Sequence, residues 1–459
     1  MIRNRRCGRA AGAGDWWSSR DARGPSGSSA PAVVTYASLR GAVEQGEWVL
    51  VSLGSYGRVL RLPGVLPLTL IAFVARIPHA MTGVTLTLHV VLTLDRGYAQ
   101  AGVVAAAMTV GMAIGAPWRG RRVDRIGLRR ALIPSVLVSS VIWLVAPRLD
   151  YVWLIVAAAV AGAFLVPVFS VVRQSLSVLV PAEQQRTAFA FDSVCTEVTF
   201  MVGPVLAAFL ATSLSTAVAL TVVGASTVLA GVALFWANPP TTSVQRDARH
   251  GGPTTVAQAG APVVTAEPAV TGRTWLSPGL LIVLASASSV AVLLNGTDVS
   301  IVAALEDWGR PGSVGWVVAL WCLGSAVGGL VYGASPLDLH PLTLVGLFGL
   351  FTLPAAFAQT PTQLAVAIVI SGLPCAAALS SINASLVRMV PEHRRGEVMG
   401  WSGTANTLGG AIGAPVCGAV IDALGAQAGF GFAAGAGVVL AGIGLLAMRV
   451  LRLRRGTVS

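Results

Sequence analysis

The sequence has 459 residues, of which 54% are hydrophobic and only 11% charged, a far smaller charged fraction than soluble domains carry. Its formal net charge is +12, and all basic residues apart from histidine are arginine, because no lysine occurs. Without lysine the chain has no P-loop and no Schiff-base site for pyridoxal or retinal, so we expect no cofactor. The five cysteines form no C-x-x-C or Cys/His cluster, so we predict no metal site.

The first segment, residues 1–61, is rich in Arg, Gly and Ser and has no long apolar run before Leu62. The paired Arg5 and Arg6 are not followed by the apolar stretch of a signal peptide. The composition therefore predicts a disordered, basic, cytoplasmic tail.

Apolar runs of membrane-crossing length then recur along nearly the whole chain. They predict an all-α membrane protein with twelve transmembrane helices. The predicted spans are 65–92, 99–118, 131–147, 151–172, 188–212, 215–236, 278–304, 313–333, 341–358, 361–386, 397–420 and 427–448.

A stretch rich in Pro, Thr, Ala and Gly, residues 238–276, separates the sixth predicted span from the seventh. This composition is typical of a linker. It divides the spans into an N-terminal six-helix bundle, 62–237, and a C-terminal bundle, 277–449, which is followed by a tail, 450–459.

The two bundles have similar sequence patterns. A shift of 210 positions superposes Val180-Pro181 on Val390-Pro391, and Gly203 on Gly413. A shift of 213 positions superposes Gly83 on Gly296. Together these matches indicate a duplicated six-helix unit, the pseudo-repeat arrangement of parallel-repeat transporters.

The arginines are unevenly distributed between the two sets of loops. Only Arg96, Arg148 and Arg310 fall in one set. Because positive charge is retained on the cytoplasmic side, both termini and the linker are predicted to be cytoplasmic. The excess of arginine thus reflects membrane orientation, and we expect no nucleic-acid partner. The cytoplasmic set holds Arg119, Arg121, Arg122, Arg125, Arg129, Arg130, Arg173, Arg186, Arg246, Arg249, Arg273, Arg388, Arg394, Arg395, Arg449, Arg452, Arg454 and Arg455.

The loop between the second and third predicted spans reads GRRVDRIGLRR and fits the pattern G-x-x-x-D-R-x-G-x-R-R. It resembles the signature loop of the major facilitator superfamily, which lies between the same two helices. The resemblance implies the fold of that family and a gating role for the loop; the alternative is that its arginines only set orientation. The corresponding second-half loop, around Asp338, lacks the D-R-x-G core. The motif residues are Gly120, Asp124, Arg125, Gly127, Arg129 and Arg130.

The fifth predicted span contains Gly203-Pro204, followed by Ala207 and Ala208. This partly resembles the fifth-helix motif of drug/proton antiporters in the same superfamily. Physically, a Gly-Pro pair loosens a helix and allows a neighbouring helix to pack closely. The alternative is that this is an ordinary kinked membrane helix.

Ionisable residues within membrane spans are functional candidates, since burying a charge there is costly. Arg76 and His79 lie midway along the first span, with His89 further along; Glu197 lies in the fifth and Asp298 in the seventh. By depth, we expect Arg76 to pair with Glu197, either as a proton-coupling pair or as a static ion pair. The histidines are expected to be hydrogen-bonded packing residues or cavity residues.

One further acidic residue and three asparagines complete the predicted set. Asp192, close in sequence to Arg186, is expected to form an interfacial pair rather than a proton site. The central cavity is expected to expose few polar side chains, chiefly Asn295, Asn383 and Asn406.

The resemblance implies a monomeric secondary transporter in a bacterial inner membrane, working by alternating access between its two halves. The antiporter-like motif favours proton-coupled efflux of a small, hydrophobic compound, with the proton gradient as the energy source. The main alternative is an uptake permease for sugars, organic acids or peptides. A membrane enzyme or sensor is a remote alternative, because neither a catalytic constellation nor a folded soluble domain is evident.

Overall fold

In the computed structural model, residues 53–249, 277–335 and 337–456 are described, and their regular secondary structure is helical. Eleven of these helices are long and apolar enough to cross a membrane, and the shorter apolar helix Pro341–Phe357 occupies the position of the ninth predicted span. Residues 1–52 and 250–276, in which most of the predicted tail and linker fall, lie outside the described residues.

The spans of the first half follow one another through short connections. Their helices are span 1, Val65–Leu92; span 2, Tyr98–Ile126; span 3, Leu128–Val145; span 4, Tyr151–Ala163 and Val168–Leu179; span 5, Gln185–Ser213; and span 6, Thr216–Ala237.

The second half has the same order of long and interrupted helices. They are span 7, Pro278–Asp307; span 8, Val314–Ala334; span 9, Pro341–Thr352 with the 3-10 segment Leu353–Phe357; span 10, Pro361–Gly372 and Cys375–Met389; span 11, Arg395–Leu424; and span 12, Ala426–Gly456. Two short helices lie outside the spans, Leu53–Leu60 before span 1 and Ser243–Arg249 after span 6.

Spans 4 and 10 are interrupted, where the sequence predicted single helices. The first helix of span 4 ends at Ala163 and the second begins at Val168, just after Pro167. Span 10 is broken in the same way before Cys375, just after Pro374. Proline has no backbone N–H to donate and clashes with the preceding turn, which explains both breaks. The second helix of span 4 then continues to Leu179, beyond the predicted end at 172.

Small residues bring span 2 against span 4. A side chain at Gly111 would collide with the carbonyl group of Ala159, and one at Gly115 with that of Ala163. In lipid, where helices gain little from apolar burial, such close backbone contact is a main source of helix association.

The second half repeats this contact. Gly324 and Gly328 of span 8 press against the carbonyl groups of Val369 and Leu373 of span 10. A shift of 213 takes Gly111 and Gly115 to these glycines, and a shift of 210 takes Ala159 and Ala163 to Val369 and Leu373. The packing therefore follows the two shifts that the sequence predicted for a duplicated unit.

The end of the predicted tail is ordered helix rather than disordered chain. In the helix Leu53–Leu60, Tyr56 and Val59 are 6% and 2% exposed. The Tyr56 hydroxyl donates a 2.6 Å hydrogen bond to the carbonyl oxygen of Leu330 in span 8. The prediction of disorder is thus wrong for residues 53–60, because this short helix packs against the bundle without crossing it.

Candidate transport site and gate

The sequence predicted Asp124 in a loop after residue 118, but span 2 continues as a helix to Ile126, so Asp124 lies in its last turn. From there it binds the first turn of span 11. Its carboxylate accepts hydrogen bonds from the backbone N–H groups of Gly396 at 3.0 Å and Glu397 at 2.8 Å. A third, 2.9 Å bond comes from Nε2 of Gln174 in span 4. A carboxylate at this place satisfies free N–H groups of the helix terminus and interacts favourably with its dipole. We call this face of the molecule the motif side.

The backbones of the two halves also touch at this point. A side chain at Gly120 would collide with the carbonyl group of Gly396. Nearby, Nε of Arg121 lies 2.7 Å from Oε1 of Glu397, and Arg394 pairs with the other carboxylate oxygen at 3.0 Å. Spans 2 and 11 are therefore joined by steric fit, by hydrogen bonds and by the ion pair of Arg121 with Glu397, which together form the first clamp.

The remaining motif residues lie away from this contact. Arg125 and Arg130 are exposed. Arg129 is exposed too, and its Nε donates to the carbonyl oxygen of Phe235 at 3.1 Å. Gly127 has a φ of 79°, a conformation that favours glycine, and it links span 2 directly to span 3.

A second clamp joins span 5 to the end of span 8. The guanidinium of Arg186 donates to the carbonyl oxygens of Ser335 and Leu337. The Thr187 hydroxyl donates to the carbonyl oxygen of Gly333 at 2.6 Å. The free carbonyl groups at a helix C-terminus attract a cation, so this contact is physically the reverse of the first clamp.

The repeat relates the two clamps position by position. A shift of 213 takes Asp124 to Leu337, and a shift of 210 takes Arg186 to Gly396. One clamp uses an aspartate side chain on backbone N–H groups, and the other an arginine side chain on backbone carbonyls. Within the described ranges, Asp338 of the second-half loop forms an exposed 3.6 Å pair with Arg388 and takes no part in the second clamp.

The two halves are held together on the motif side. The deepest hydrogen bonds between them join Ser325 to Glu197 at 3.1 Å and Thr404 to the carbonyl oxygen of Ala113 at 2.7 Å, near mid-span. Within the described ranges, the other hydrogen bonds between the halves lie between that level and the motif side. The structure is therefore closed on the motif side.

The buried cation of span 1 pairs with Asp192, not with Glu197 as predicted. Nη2 of Arg76 lies 2.7 Å from Oδ1 of Asp192, and the two side chains are 0% and 3% exposed. Nη1 of Arg76 donates to the Thr196 hydroxyl at 3.1 Å. Nε of Arg173 in span 4 lies 3.5 Å from Oδ2 of the same carboxylate. The expected interfacial pair of Asp192 with Arg186 is also wrong, because Arg186 belongs to the second clamp.

Aromatic rings surround this charged cluster. The guanidinium carbons of Arg76 and Arg173 lie 4.8 and 5.8 Å from the centroid of the Phe169 ring. His79 contacts Phe169 edge-on at 5.2 Å, and Phe200 stacks on Phe169 at 6.4 Å. Guanidinium groups over aromatic faces are favourable, most of all when they are desolvated.

Glu197 faces the other half instead. Its carboxylate accepts the bond from Ser325 of span 8, and Sγ of Cys375 in span 10 lies 4.0 Å away. The residue is 8% exposed, and among the described residues no basic group lies within ion-pair distance of it. Asp298 of span 7 lies near enough to act on it electrostatically. In the described part of the chain, an acidic group therefore lies between the two halves without a cationic partner.

The other predicted residues fall into packing positions. Gly203 packs against Ala80 of span 1, where any side chain would collide, and the helix of span 5 continues through Pro204. His89 is fully buried and bonds to the Thr216 hydroxyl through Nδ1 at 2.9 Å, joining spans 1 and 6 as a packing histidine.

The three asparagines are not brought together with the charged cluster. Nδ2 of Asn295 bonds to the carbonyl oxygen of Ala291 in its own helix at 2.8 Å. Asn383 is buried, and Asn406 is exposed.

Three important residues were not singled out by the sequence reasoning, namely Arg173, Arg186 and Glu397, and Asp192 was undervalued. The repeat offered one signal, since it aligns Arg186 with Gly396 and Glu397 with Thr187. Nothing in the pattern identified Arg173, which the break in span 4 brings to Asp192.

Comparison with known proteins identifies the class of this fold. The family model of the Major Facilitator Superfamily matches residues 68–334 and 290–458, so the chain belongs to that family and is a multi-pass membrane transporter rather than an enzyme. Among curated proteins, none matches.

Several solved structures share the fold. The human organic anion transporter MFSD10 is 15% identical with a TM-score of 0.62, and the match covers 84% of this chain and 98% of that one. A bacterial homologue of the iron transporter ferroportin, in an outward-facing state, is 15% identical with a TM-score of 0.65, covering 84% of this chain and 100% of that one. At such identity the likeness concerns the fold alone.

Proposed function

We propose that this chain is a proton-coupled exporter of a small, largely hydrophobic compound, in which Glu197 carries the proton. The observation that carries the proposal is the position of Glu197, buried between the two halves without a cationic partner in the described part of the chain. A carboxylate in such a place is held as an anion only at a large cost in solvation. Its protonation therefore depends on which side of the membrane water reaches it from.

The arginine distribution supports an orientation with the motif side in the cytoplasm of a bacterial cell. The motif-side ends of spans 2 and 3, which Gly127 connects, carry five arginines, namely Arg121, Arg122, Arg125, Arg129 and Arg130. Loops that retain so much positive charge stay on the inner face. Closed clamps on that side then correspond to an outward-facing conformation, from which Glu197 takes up a proton and the exported compound leaves.

Proton binding is coupled to the change of conformation through the contacts of Glu197. The carboxylate of Glu197 accepts a hydrogen bond from Ser325 of span 8, and this bond links the first half to the second. A neutral carboxyl group loses the strong, charge-assisted form of this bond and is cheaper to bury in a rearranged interface. Arg76 has no part in this step, since it is occupied by Asp192.

Export rather than uptake is supported by Gly203-Pro204 in span 5, which resembles the antiporter motif. The titles of the solved relatives name unlike cargoes, an organic anion and iron, so they select no substrate for this chain. The protein would act as a monomer and need no cofactor besides the proton gradient.

The test is transport into everted membrane vesicles with a panel of lipophilic compounds, with and without an imposed proton gradient. Glu197→Gln should abolish gradient-driven accumulation while exchange of the compound at equal concentrations remains. Glu183→Gln, at an exposed position in the loop after span 4, is the matched control and should transport normally. Accumulation by Glu197→Gln at the wild-type level would refute the coupling role.

A further inference from the structure

The cluster of Arg76, Arg173 and Asp192 carries more positive charge than its one carboxylate balances. Both guanidiniums contact the same carboxylate, at 2.7 and 3.5 Å. A third cation, Arg119, is 6% exposed and acts electrostatically on the neighbouring His79. Among the described residues, its hydrogen-bond partners are backbone carbonyls at the break of span 4. The centre of the first half is therefore net positive.

The same fold is built without these charges in the second half. The repeat shifts take Arg76 to Ser289, Arg173 to Asn383 and Asp192 to Ser402. All three of these neutral side chains are buried, at 4%, 3% and 7% exposure.

Packing therefore does not require the charged set in the first half. Buried ion pairs commonly lose more in solvation than they gain in attraction, so replacement by neutral residues is often stabilising. Charges that are retained in only one of two equivalent bundles are explained better by function than by stability.

The cluster also has unused hydrogen-bond donors. Nε of Arg76 is fully buried and has no partner in the described part of the chain. Arg173 is 19% exposed, and within the same ranges its one hydrogen bond is the long contact of Nε to Asp192. Its planar fork of terminal N–H groups suits a second carboxylate or a similar anion.

We propose that this cluster is a binding site for the acidic group of an aromatic carboxylate or a similar organic anion, whose ring lies against Phe169 and Phe200. Phe200 is 45% exposed beside the half-buried Phe169. Asp192 pairs with both guanidinium groups, and the ligand's anionic group binds the N–H donors that Asp192 does not use. This assignment rests on the proposed transport function, because it makes the exported compound an aromatic acid with an apolar body.

Binding to the purified full-length protein in lipid nanodiscs tests the assignment without transport. Titration calorimetry with phenylacetate, neutral phenylacetamide and cationic phenethylamine compares three ligands of similar shape. Phenylacetate should bind at least about tenfold more tightly than the other two, because only it pairs with the guanidiniums. Equal binding of phenylacetate and phenylacetamide, or no binding of phenylacetate, would overturn the proposal, and this comparison needs no variant.

Two substitutions of opposite sign give a second test. Arg173→Gln should weaken phenylacetate binding about tenfold or more, since it removes donors to the anion. Asp192→Asn should strengthen binding, because it removes the competing internal carboxylate. If the cluster were purely structural, phenylacetate binding would weaken in both variants or in neither. Either result would contradict the proposed anion site. Arg148→Gln, at an exposed residue that bonds only within its own helix end, is the control and should bind like the wild type.

The outcome is separable from the proton-coupling proposal. Glu197→Gln should still bind phenylacetate, because Glu197 faces span 8 and not the arginines. Failure of phenylacetate binding in the wild type would refute the anion site and leave the coupling test at Glu197 to be decided by transport alone.

Discussion

Arg76 and Asp192 lie 116 positions apart in the sequence and form a 2.7 Å ion pair that is almost completely buried between spans 1 and 5. Arg173 provides a second, weaker contact to the same carboxylate. Removal of Asp192 and removal of Arg76 should therefore differ in effect. Among the described residues, Asp192 has a second partner of opposite charge, Arg173, whereas Arg76 has none.

Asp192→Asn should destabilise the protein more than Arg76→Gln does. Asp192→Asn leaves two arginines without a carboxylate, at a cost of about 3–5 kcal/mol, whereas Arg76→Gln leaves Asp192 paired with Arg173. Thermal unfolding in detergent measures both. The exposed pair of Arg246 and Asp247 is the control, and its neutralisation should change the unfolding temperature little. A larger loss in Arg76→Gln would contradict this order.

Asp124→Asn should loosen the first clamp while the protein still folds. Asparagine keeps one acceptor but loses the charge that favours the helix terminus, which should reduce the closed-to-open ratio by about five- to thirty-fold. Spin labels on spans 2 and 11 report the motif-side distance distribution. Arg125→Gln, at the exposed position next to Asp124, should leave that distribution unchanged. An unchanged distribution in Asp124→Asn would reduce the loop to an orientation signal.

Arg186→Gln should shift the same equilibrium in the same direction as Asp124→Asn, although it removes the opposite charge. The reason is that each charged side chain binds a helix terminus in the other half whose partial charge is of the opposite sign. Labels on spans 5 and 8 should show wider motif-side distances. Because the two clamps join different pairs of spans, the effects should add in the double variant. A double variant no more open than either single one would indicate a single coupled clamp.

Removal of residues 1–52 should leave insertion and transport largely intact, whereas removal of 1–60 should not. The longer deletion eliminates the helix Leu53–Leu60 and the bond from Tyr56 to Leu330 of span 8. Tyr56→Phe isolates that bond and should cost about 1 kcal/mol of closed-state stability. Indistinguishable motif-side distances in the two deletions would show that the helix does not support the closed state.

Reporter fusions at Thr255 and at Gly456 should both score as cytoplasmic. The linker and the C-terminus both belong to the arginine-rich set. Arginine-rich loops are generally retained on the cytoplasmic side of the membrane. A fusion at Arg310, in the loop before span 8, should score as external and serves as the opposite control. Any reversal among these three sites would require a different topology.

The spans and the family were predictable from the sequence, because long apolar runs and the loop motif are local patterns. The pairing of Arg76 was not, since depth along a helix does not give the direction of a side chain. Asp192 and Glu197 are five positions apart, which turns them by about 140° around the helix axis. One therefore faces span 1 and the other faces span 8.

The second clamp shows a different limit of sequence reasoning. Its acceptors are the backbone carbonyls of Ser335 and Leu337, and such partners leave no trace in side-chain identity. A search for a second aspartate in the corresponding loop therefore misses a contact that is made with reversed polarity. The packing glycines Gly203 and Gly413, by contrast, were matched positions in the sequence, because a steric requirement does restrict the residue type.

The backbone contact of Gly120 with Gly396 has a consequence for the motion itself. Two helices whose main-chain atoms already touch cannot approach further, so this contact limits how closely spans 2 and 11 can come together and acts as a mechanical stop. The charges around it determine how long the two halves remain at the stop, while the glycines determine where the stop is. Charge substitutions should thus alter the lifetime of the closed conformation but not its shape, whereas a single methyl group at either glycine would displace the end point of every transport cycle.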